Sequence, residues 1–299
     1  MPTEEIIDEF RVRAGKKLKL KDCDPGWSRG KDFTGLGKDA AKERAEEILR
    51  DRVKELTAAQ DLLYADNRYA VLVILQGMDT AGKDGTIKHV MSGMNPAGCE
   101  VHDFKRPTPD ELDHSFLWRH MRCLPTRGRI GLFNRSYYED TLVVKVHPES
   151  LPLGQLPPGK INDKFWNARY EDINAFERHL VRNGTIVLKF FLNVSKKEQK
   201  KRLLARLDDP TKHWKFEAGD LAERTFWNDY VKAYEDAITA TNTEWAPWYV
   251  IPADAKWVTR AAVAAILART ITSLDLRYPT LSAKEEEMLT EARKKLERE

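Results

Sequence analysis

The chain has 299 residues, 41% of them hydrophobic and 32% charged, with a formal net charge of +3. That composition fits one large or two small globular domains and excludes disordered and fibrous classes. The near-balanced charge argues against whole-surface binding of nucleic acid, so no nucleic-acid partner is expected and electrostatic recognition must be local.

The opening stretch MPTEEIIDEF has no apolar signal core, and no run approaches the roughly 20 apolar residues that span a bilayer. Cys23, Cys99 and Cys123 are too few and too scattered for a disulfide framework or a zinc site. The expectation is a cytoplasmic protein with free thiols and no membrane partner.

In chain order, residues 1–65 read as an extension: a loop-like KDCDPGWSRGKDFTGLGKD, then a helix from about Ala40 to Leu63. YAVLVILQG, Tyr69 to Gly77, is a continuous apolar run rich in β-branched residues and ending at glycine, the pattern of a buried parallel strand. CEVHDF and GRIGLFN predict further short strands. Between them Thr108, Pro109 and Glu111 predict a capped helix start. The proline-rich HPESLPLGQLPPGK reads as an inserted loop.

A helix is expected over about Asp163 to Arg182, then the strand TIVLKFFLNV. Ser195 and Glu198 predict a second capping box at the head of a basic helix running through Leu207. An amphipathic helix to about Thr241, the strand WYVIPA, an alanine-rich helix from Lys256 and a charged tail from Ser282 complete the chain. Strands alternating with helices predict an α/β fold with a parallel sheet covered on both faces. The main domain is expected over 66–277 and a C-terminal helix over 278–299.

The chemistry starts at GMDTAGKDGTIK. Gly77, Gly82 and Lys83 have the spacing of a phosphate-binding loop, follow a strand and precede a helix. The glycines let backbone N–H groups close on phosphate oxygens, the helix N-terminus adds a positive dipole end, and Lys83 adds a point charge. Gly77, Ala81, Gly82, Gly85, Thr86 and Lys88 are the expected phosphate-facing set. Position 84 departs from the usual pattern, because Asp84 stands where a Ser or Thr hydroxyl holds Mg²⁺. Asp84 is a hard-oxygen ligand in its own right, and Thr86 offers a hydroxyl two residues on. Asp79, inside the loop, would repel phosphate unless a metal lies between them, so two acids here predict metal-dependent chemistry. The plainer reading of Asp79 is a turn residue.

GRIGLFNRSYYED supplies a second strand end. Arg135 is a candidate bidentate phosphate clamp, and Glu139 a candidate metal ligand or a surface charge. Lys196, Lys197, Lys200, Lys201, Arg202 and Arg206 crowd one helix, with Lys212 and Lys215 flanking Trp214 after it. Such a run is either a solvated face or a lid over phosphates, here about 196–230. Lys105, Arg106, Arg119 and Arg122 add a second cationic stretch, and Trp118 and Trp214 are candidates for base stacking. The histidines show no ligand spacing and no Ser-His-Asp order is evident.

GMDTAGKDGTIKHV, FKRPTPDELDHSFLWRHM, GLFNRSYYEDTLVVKVHP and DDPTKHWKF together resemble the polyphosphate kinase 2 family, over about Gly35 to Arg277. The resemblance implies a three-layer α/β/α sandwich around a five-stranded parallel sheet, thymidylate kinase-like, with a helical lid. It implies phosphoryl transfer from inorganic polyphosphate to purine nucleotides, AMP or ADP and their guanosine equivalents. Mg²⁺ is the implied cofactor, Mn²⁺ an alternative, and a homo-oligomer the implied assembly.

On this resemblance Asp79 orients metal and acceptor phosphate, with Asp84 and Glu139 as further metal ligands. Lys83 holds the transferring phosphate and Arg135 clamps. Arg106, Arg119 and Arg122 line a substrate channel with Lys105 and Tyr137, while Arg202, Lys212, Trp214 and Lys215 belong to the lid. One branch of the family carries Gly-Gly after the loop lysine and Asp-Arg-Ser-Trp in the second motif. Here Asp84 and Asn134 exchange those charges, a pattern resembling the branch that accepts both nucleoside mono- and diphosphates. An ATP-dependent nucleoside-monophosphate kinase and a non-catalytic polyanion binder remain open on the residues alone.

Overall fold

A computed structural model describes residues 3–28, 33, 35–152, 156–215 and 219–299. Five strands form one parallel sheet: β1 (Ala70–Gln76), β2 (Cys99–Asp103), β3 (Ile130–Asn134), β4 (Thr185–Asn193) and β5 (Trp248–Pro252). Their order is β2-β3-β1-β4-β5, with every pair parallel. The helices up to β3 are α1 (Thr3–Phe10), α2 (Lys38–Asp66), α3 (Lys83–Val90), α4 (Pro109–Leu112) and α5 (Trp118–Met121). After β3 come α6 (Val143–Val146), α7 (Asp163–Arg182), α8 (Lys196–Leu207), α9 (Gly219–Glu223), α10 (Trp227–Thr241), α11 (Lys256–Thr272) and α12 (Ala283–Leu296).

All seven residues of β1 are buried, as a central strand covered on both faces requires. Its side chains alternate between two cores. Val71, Val73 and Leu75 face the cluster containing the alanine-rich α11, with Leu56 and Leu63 of α2. Leu72 and Ile74 face the cluster built with Trp166, Tyr170 and Ile173 of α7 and Tyr234 and Ile238 of α10. The expected three-layer α/β/α sandwich is therefore present, and its parallel register brings Leu75 of β1 opposite Asn134 of β3.

The N-terminal stretch is tied into this body. Val12 N–H donates to Trp248 O (2.9 Å), Leu18 N–H to Thr239 Oγ1 (3.0 Å) and Leu20 N–H to Glu235 Oε1 (2.7 Å). The capping box at Thr108 and Glu111 forms, but α4 is only four residues long before the chain turns into α5. At α8 half of the expected box forms. Ser195 Oγ accepts from Glu198 N–H (3.0 Å), while the Ser195 N–H goes to Asp254 Oδ1 (2.7 Å) and Glu198 turns to Arg202. Among the described residues no helix is long and apolar enough to cross a membrane.

Candidate active site

The site gathers at the carboxyl ends of β1 and β3, where open α/β sheets bind ligands. After Gln76 the chain must turn sharply back into α3, and two glycines make that possible. A Cβ on Gly77 would lie 3.0 Å from both Ala81 Cβ and Leu192 O, so a larger residue there would have to push its neighbours aside. Gly82 caps α3 at φ 109, a left-handed conformation that glycine alone adopts freely. Thr80 takes φ 61 and Arg135 φ 63, so the two facing loops each hold a non-glycine residue in the left-handed region. Such residues cost about 1–3 kcal/mol each and persist where the surroundings over-determine them, typically at functional sites.

Lys83, Asp79, Arg135 and Glu139 share this space. Lys83 is buried, and its Nζ donates to Gly77 O at 2.6 Å. Burial, with the neighbouring Arg135, pulls its pKa below the ordinary lysine value, against Asp79, Glu139 and Asp84. Arg135 Nη2 lies 3.7 Å from Asp79 Oδ1. Burial pulls that guanidinium down too, but Glu139, Asp79 and Asp103 outweigh it and leave the pKa raised. Burial pushes the Glu139 carboxyl up, opposed by Arg135, Lys83 and a hydrogen bond from Gln76. Mutual perturbation of this kind, between the phosphate loop and the segment after β3, is the pattern in which functional sites are found.

Asp84 and Asn134, paired by the sequence only through their exchanged charges, touch: Asn134 Nδ2 donates to Asp84 Oδ1 at 3.1 Å. Thr86 is buried and its hydroxyl donates to Gly82 O (3.0 Å). Among the described residues, Asn134 Oδ1 and Gln76 Oε1 are buried with no hydrogen-bond partner. With Asp79, Asp84 and Glu139 they make a set of hard oxygens. Among the described residues no three His, Cys, Asp or Glu side chains converge closely enough to hold an ion by themselves. The expected trio Asp79, Asp84 and Glu139 is therefore not a closed protein cage. The donor set fits an ion of the Mg²⁺ kind, which takes one or two carboxylates and completes its shell with water and substrate phosphate.

Several expected contact residues are committed elsewhere. Tyr137 is fully buried and its hydroxyl donates to Glu177 Oε1 (2.9 Å), so it cannot line a substrate channel. Tyr138 donates to the same oxygen (2.8 Å), and Lys189 Nζ reaches Glu177 Oε2 (2.5 Å), which makes a closed polar core under the site. Arg202 is also buried, with its guanidinium spread over backbone carbonyls instead of facing a substrate. Arg119 donates to Lys105 O (2.8 Å) and lies near Glu111, so it braces the stretch that carries Lys105.

Trp118 stacks on His114 with centroids 3.8 Å apart, and the Arg122 guanidinium sits 4.7 Å from its ring. Lys88, Lys105, Arg106, Arg122 and Lys212 are exposed. Lys212 pairs with Asp209, and Trp214 is 78% exposed. The Lys215 side chain lies outside the described residues. Sequence reasoning missed Gln199, whose signal was present. Gln199, Arg202 and Leu203 follow i, i+3, i+4 spacing, and all three are buried.

A parallel sheet of this order, with a glycine-rich loop joining β1 to a helix whose first residue is a buried lysine, defines a P-loop α/β protein of the phosphoryl-transfer kind. The model of the family described as Polyphosphate kinase 2 (PPK2) matches residues 39–278. The chain belongs to that family. It is 48% identical over 287 residues to the ADP-polyphosphate phosphotransferase of Rhodopseudomonas palustris, covering 94% of this chain and 95% of that one. It is 44% identical to the AMP/ADP-polyphosphate phosphotransferase of Meiothermus ruber, covering 95% and 100%. The crystal structure of Polyphosphate Kinase 2 from Arthrobacter aurescens TC1 superposes with a TM-score of 0.83 at 39% identity, over 97% of each chain.

Proposed function

We propose that this protein is a polyphosphate:nucleotide phosphotransferase that converts AMP and ADP, and their guanosine counterparts, to the next higher phosphate at the expense of inorganic polyphosphate. The observation that carries the reading is the cradle itself: Lys83 is buried against Gly77 O of the phosphate loop, and Arg135 reaches Asp79 of the same loop from the end of β3. Relatives named for this activity align over nearly the whole chain.

In this reading an oxygen of the nucleotide's terminal phosphate attacks the end phosphorus of the polymer. One P–O bond forms, the bridging P–O bond breaks, and the shortened polymer departs with the electron pair. Bound Mg²⁺, or Mn²⁺, would neutralise phosphate charge, held through Asp79, Asp84 and Glu139 with Asn134 Oδ1 available beside them. Phosphate oxygens taking the place of Gly77 O at Lys83 Nζ would oppose the burial that pulls its pKa down. Arg135, held by Glu139 and Asp79, approaches the transferred group without having to reorganise. Phosphoryl transfer asks little covalent help from a protein, so positioning and charge carry the acceleration.

The exposed Lys88, Lys105, Arg106, Arg122 and Lys212 would supply the cationic track for the polymer, to which the resemblance adds Lys215. The same reading places the protein in the cytosol, supported by three unpaired cysteines. It also includes a homo-oligomeric assembly, as the family resemblance implies. The test is chromatography of nucleotides after incubation with long-chain polyphosphate and Mg²⁺. Product from AMP as well as ADP is expected. Product that appears only with ATP as donor would replace this reading with that of a nucleoside-monophosphate kinase, and no product with either donor would leave a binding protein.

A further inference from the structure

Two buried polar side chains of α8 spend their hydrogen bonds on the phosphate loop, and neither needs a substrate to explain it. Gln199 Nε2 donates to Asp79 O (3.1 Å), and Arg202 Nη1 donates to Thr80 O (2.8 Å) and Ala81 O (3.0 Å). Three consecutive loop carbonyls are thus drawn to one side. Across a trans peptide the N–H points opposite the C=O. Fixing the carbonyls of Asp79 and Ala81 therefore turns the N–H groups of Thr80 and Gly82 away from α8, toward where an anion would sit. The same contacts hold Thr80 in its left-handed conformation.

Arg202 is anchored independently. Its Nη2 donates to Ala253 O (2.6 Å) and Asp254 O (3.1 Å), and its Nε to Glu198 Oε1 (3.0 Å). Among the described residues the Gln199 side chain has one other partner, Arg224, whose Nη1 donates to Gln199 Oε1 and also reaches Lys196 O at 3.3 Å. With its oxygen taken by a guanidinium, the Gln199 carboxamide has one orientation left, the one that aims Nε2 at Asp79 O. Arg224 lies between α9 and α10, far along the chain from the loop that it orients.

We propose that Arg224 and Gln199 form a positioning relay: Arg224 fixes the carboxamide of Gln199, which fixes the peptide of Asp79 and so the phosphate-binding face of the loop. The inference rests on the reading that this loop holds a phosphate chain, and it deepens that reading. The relay touches no reacting atom. It pre-organises the loop for a linear polyanion, and the contact of Arg224 with Gln199 is thereby felt at Asp79.

The probe is inorganic tripolyphosphate, titrated calorimetrically into the full chain without nucleotide, next to thermal unfolding and the KM for polyphosphate. Gln199→Met and Arg224→Met should each weaken tripolyphosphate binding about three- to tenfold, the effect of one hydrogen bond. The double variant should lose no more than the worse single, because both act through one contact. Arg224→Lys, which keeps a donor for Gln199 Oε1, should recover most of the loss. KM for polyphosphate should rise with the binding loss while the KM for nucleotide stays put, a split that general loosening of the fold does not produce.

Losses that add in the double variant, or an unaltered affinity in folded Gln199→Met, would overturn the relay. Should that variant fail to fold, Arg224→Met decides alone, and unaltered affinity there overturns the relay equally. A wild type that binds tripolyphosphate but phosphorylates no nucleotide would sink the transferase reading and leave the relay standing. A wild type that binds no tripolyphosphate would remove both.

Discussion

Asn134 at the end of β3 donates its side-chain N–H to Asp84 in the first turn of α3, at 3.1 Å. The two positions whose charges stand out in the sequence are thus in direct contact. An amide can donate to a neighbouring carboxylate, whereas a second carboxylate at that distance repels it. The remaining amide oxygen is buried and, among the described residues, has no hydrogen-bond partner.

Asn134→Asp should therefore place two carboxylates in contact. We expect kcat/KM to fall about tenfold and the Mg²⁺ dependence of the rate to shift, as the new charge changes how metal is held there. Adding Asp84→Gly should return much of the loss. Steady-state rates across a Mg²⁺ series test this, and a single variant with wild-type metal dependence would dissolve the link between the two positions.

Tyr137 is a core residue in this structure, so Tyr137→Phe should act on stability and not on substrates. Losing its hydrogen bond to the buried Glu177 should lower unfolding free energy by about 1.5–3 kcal/mol. Both substrate KM values should stay within about twofold of wild type. A large KM change in a normally stable variant would restore it to the substrate channel.

Lys189 and Glu177 are both fully inaccessible and form the charged centre of the same network. Burial depresses the Lys189 pKa and Glu177 opposes that shift. Lys189→Met leaves the carboxylate without its cation, and such removals cost about 3–5 kcal/mol. Pairing it with Glu177→Gln should regain part of that. Urea unfolding of the single and double variants measures both.

His120 supplies a pH dependence whose sign follows from its burial. Desolvation, with Arg119 nearby, lowers its pKa to about 3, well below that of an unfolded histidine. Over the window from about 6.5 down to 3 the unfolded chain therefore binds a proton that the folded chain refuses, so stability falls as pH falls. The limiting slope is about 1.4 kcal/mol per pH unit. In His120→Gln the difference in urea midpoint between pH 7 and pH 5 should shrink. An unchanged difference would mean that other groups carry the acid sensitivity.

Strand β1, the phosphate loop and α7 were legible because each depends on local pattern: a continuous apolar run, glycines at fixed spacing, an uninterrupted amphipathic stretch. The fates of Arg202, Arg119 and Tyr137 were not. A long cation in a basic run reads as solvated or substrate-facing, and only the packed structure reveals that Arg202 meets four backbone carbonyls brought together by different elements. The capping box at Ser195 failed halfway for the same reason, since Asp254 from the end of another strand competes for the Ser195 N–H. The pairing of Asp84 with Asn134 was visible as a charge exchange, and its geometry came from the register that aligns β3 with β1.

The most direct test of the account is transfer itself, followed in wild type and in Lys83→Ala with long-chain polyphosphate, Mg²⁺ and AMP, ADP, GMP or GDP as sole acceptor. The account predicts ADP and then ATP from AMP, with the variant slower by about a thousandfold or more, as befits loss of a charge aimed at the transferring group. A wild type that phosphorylates none of the four acceptors, or a Lys83→Ala variant as fast as wild type, would contradict it.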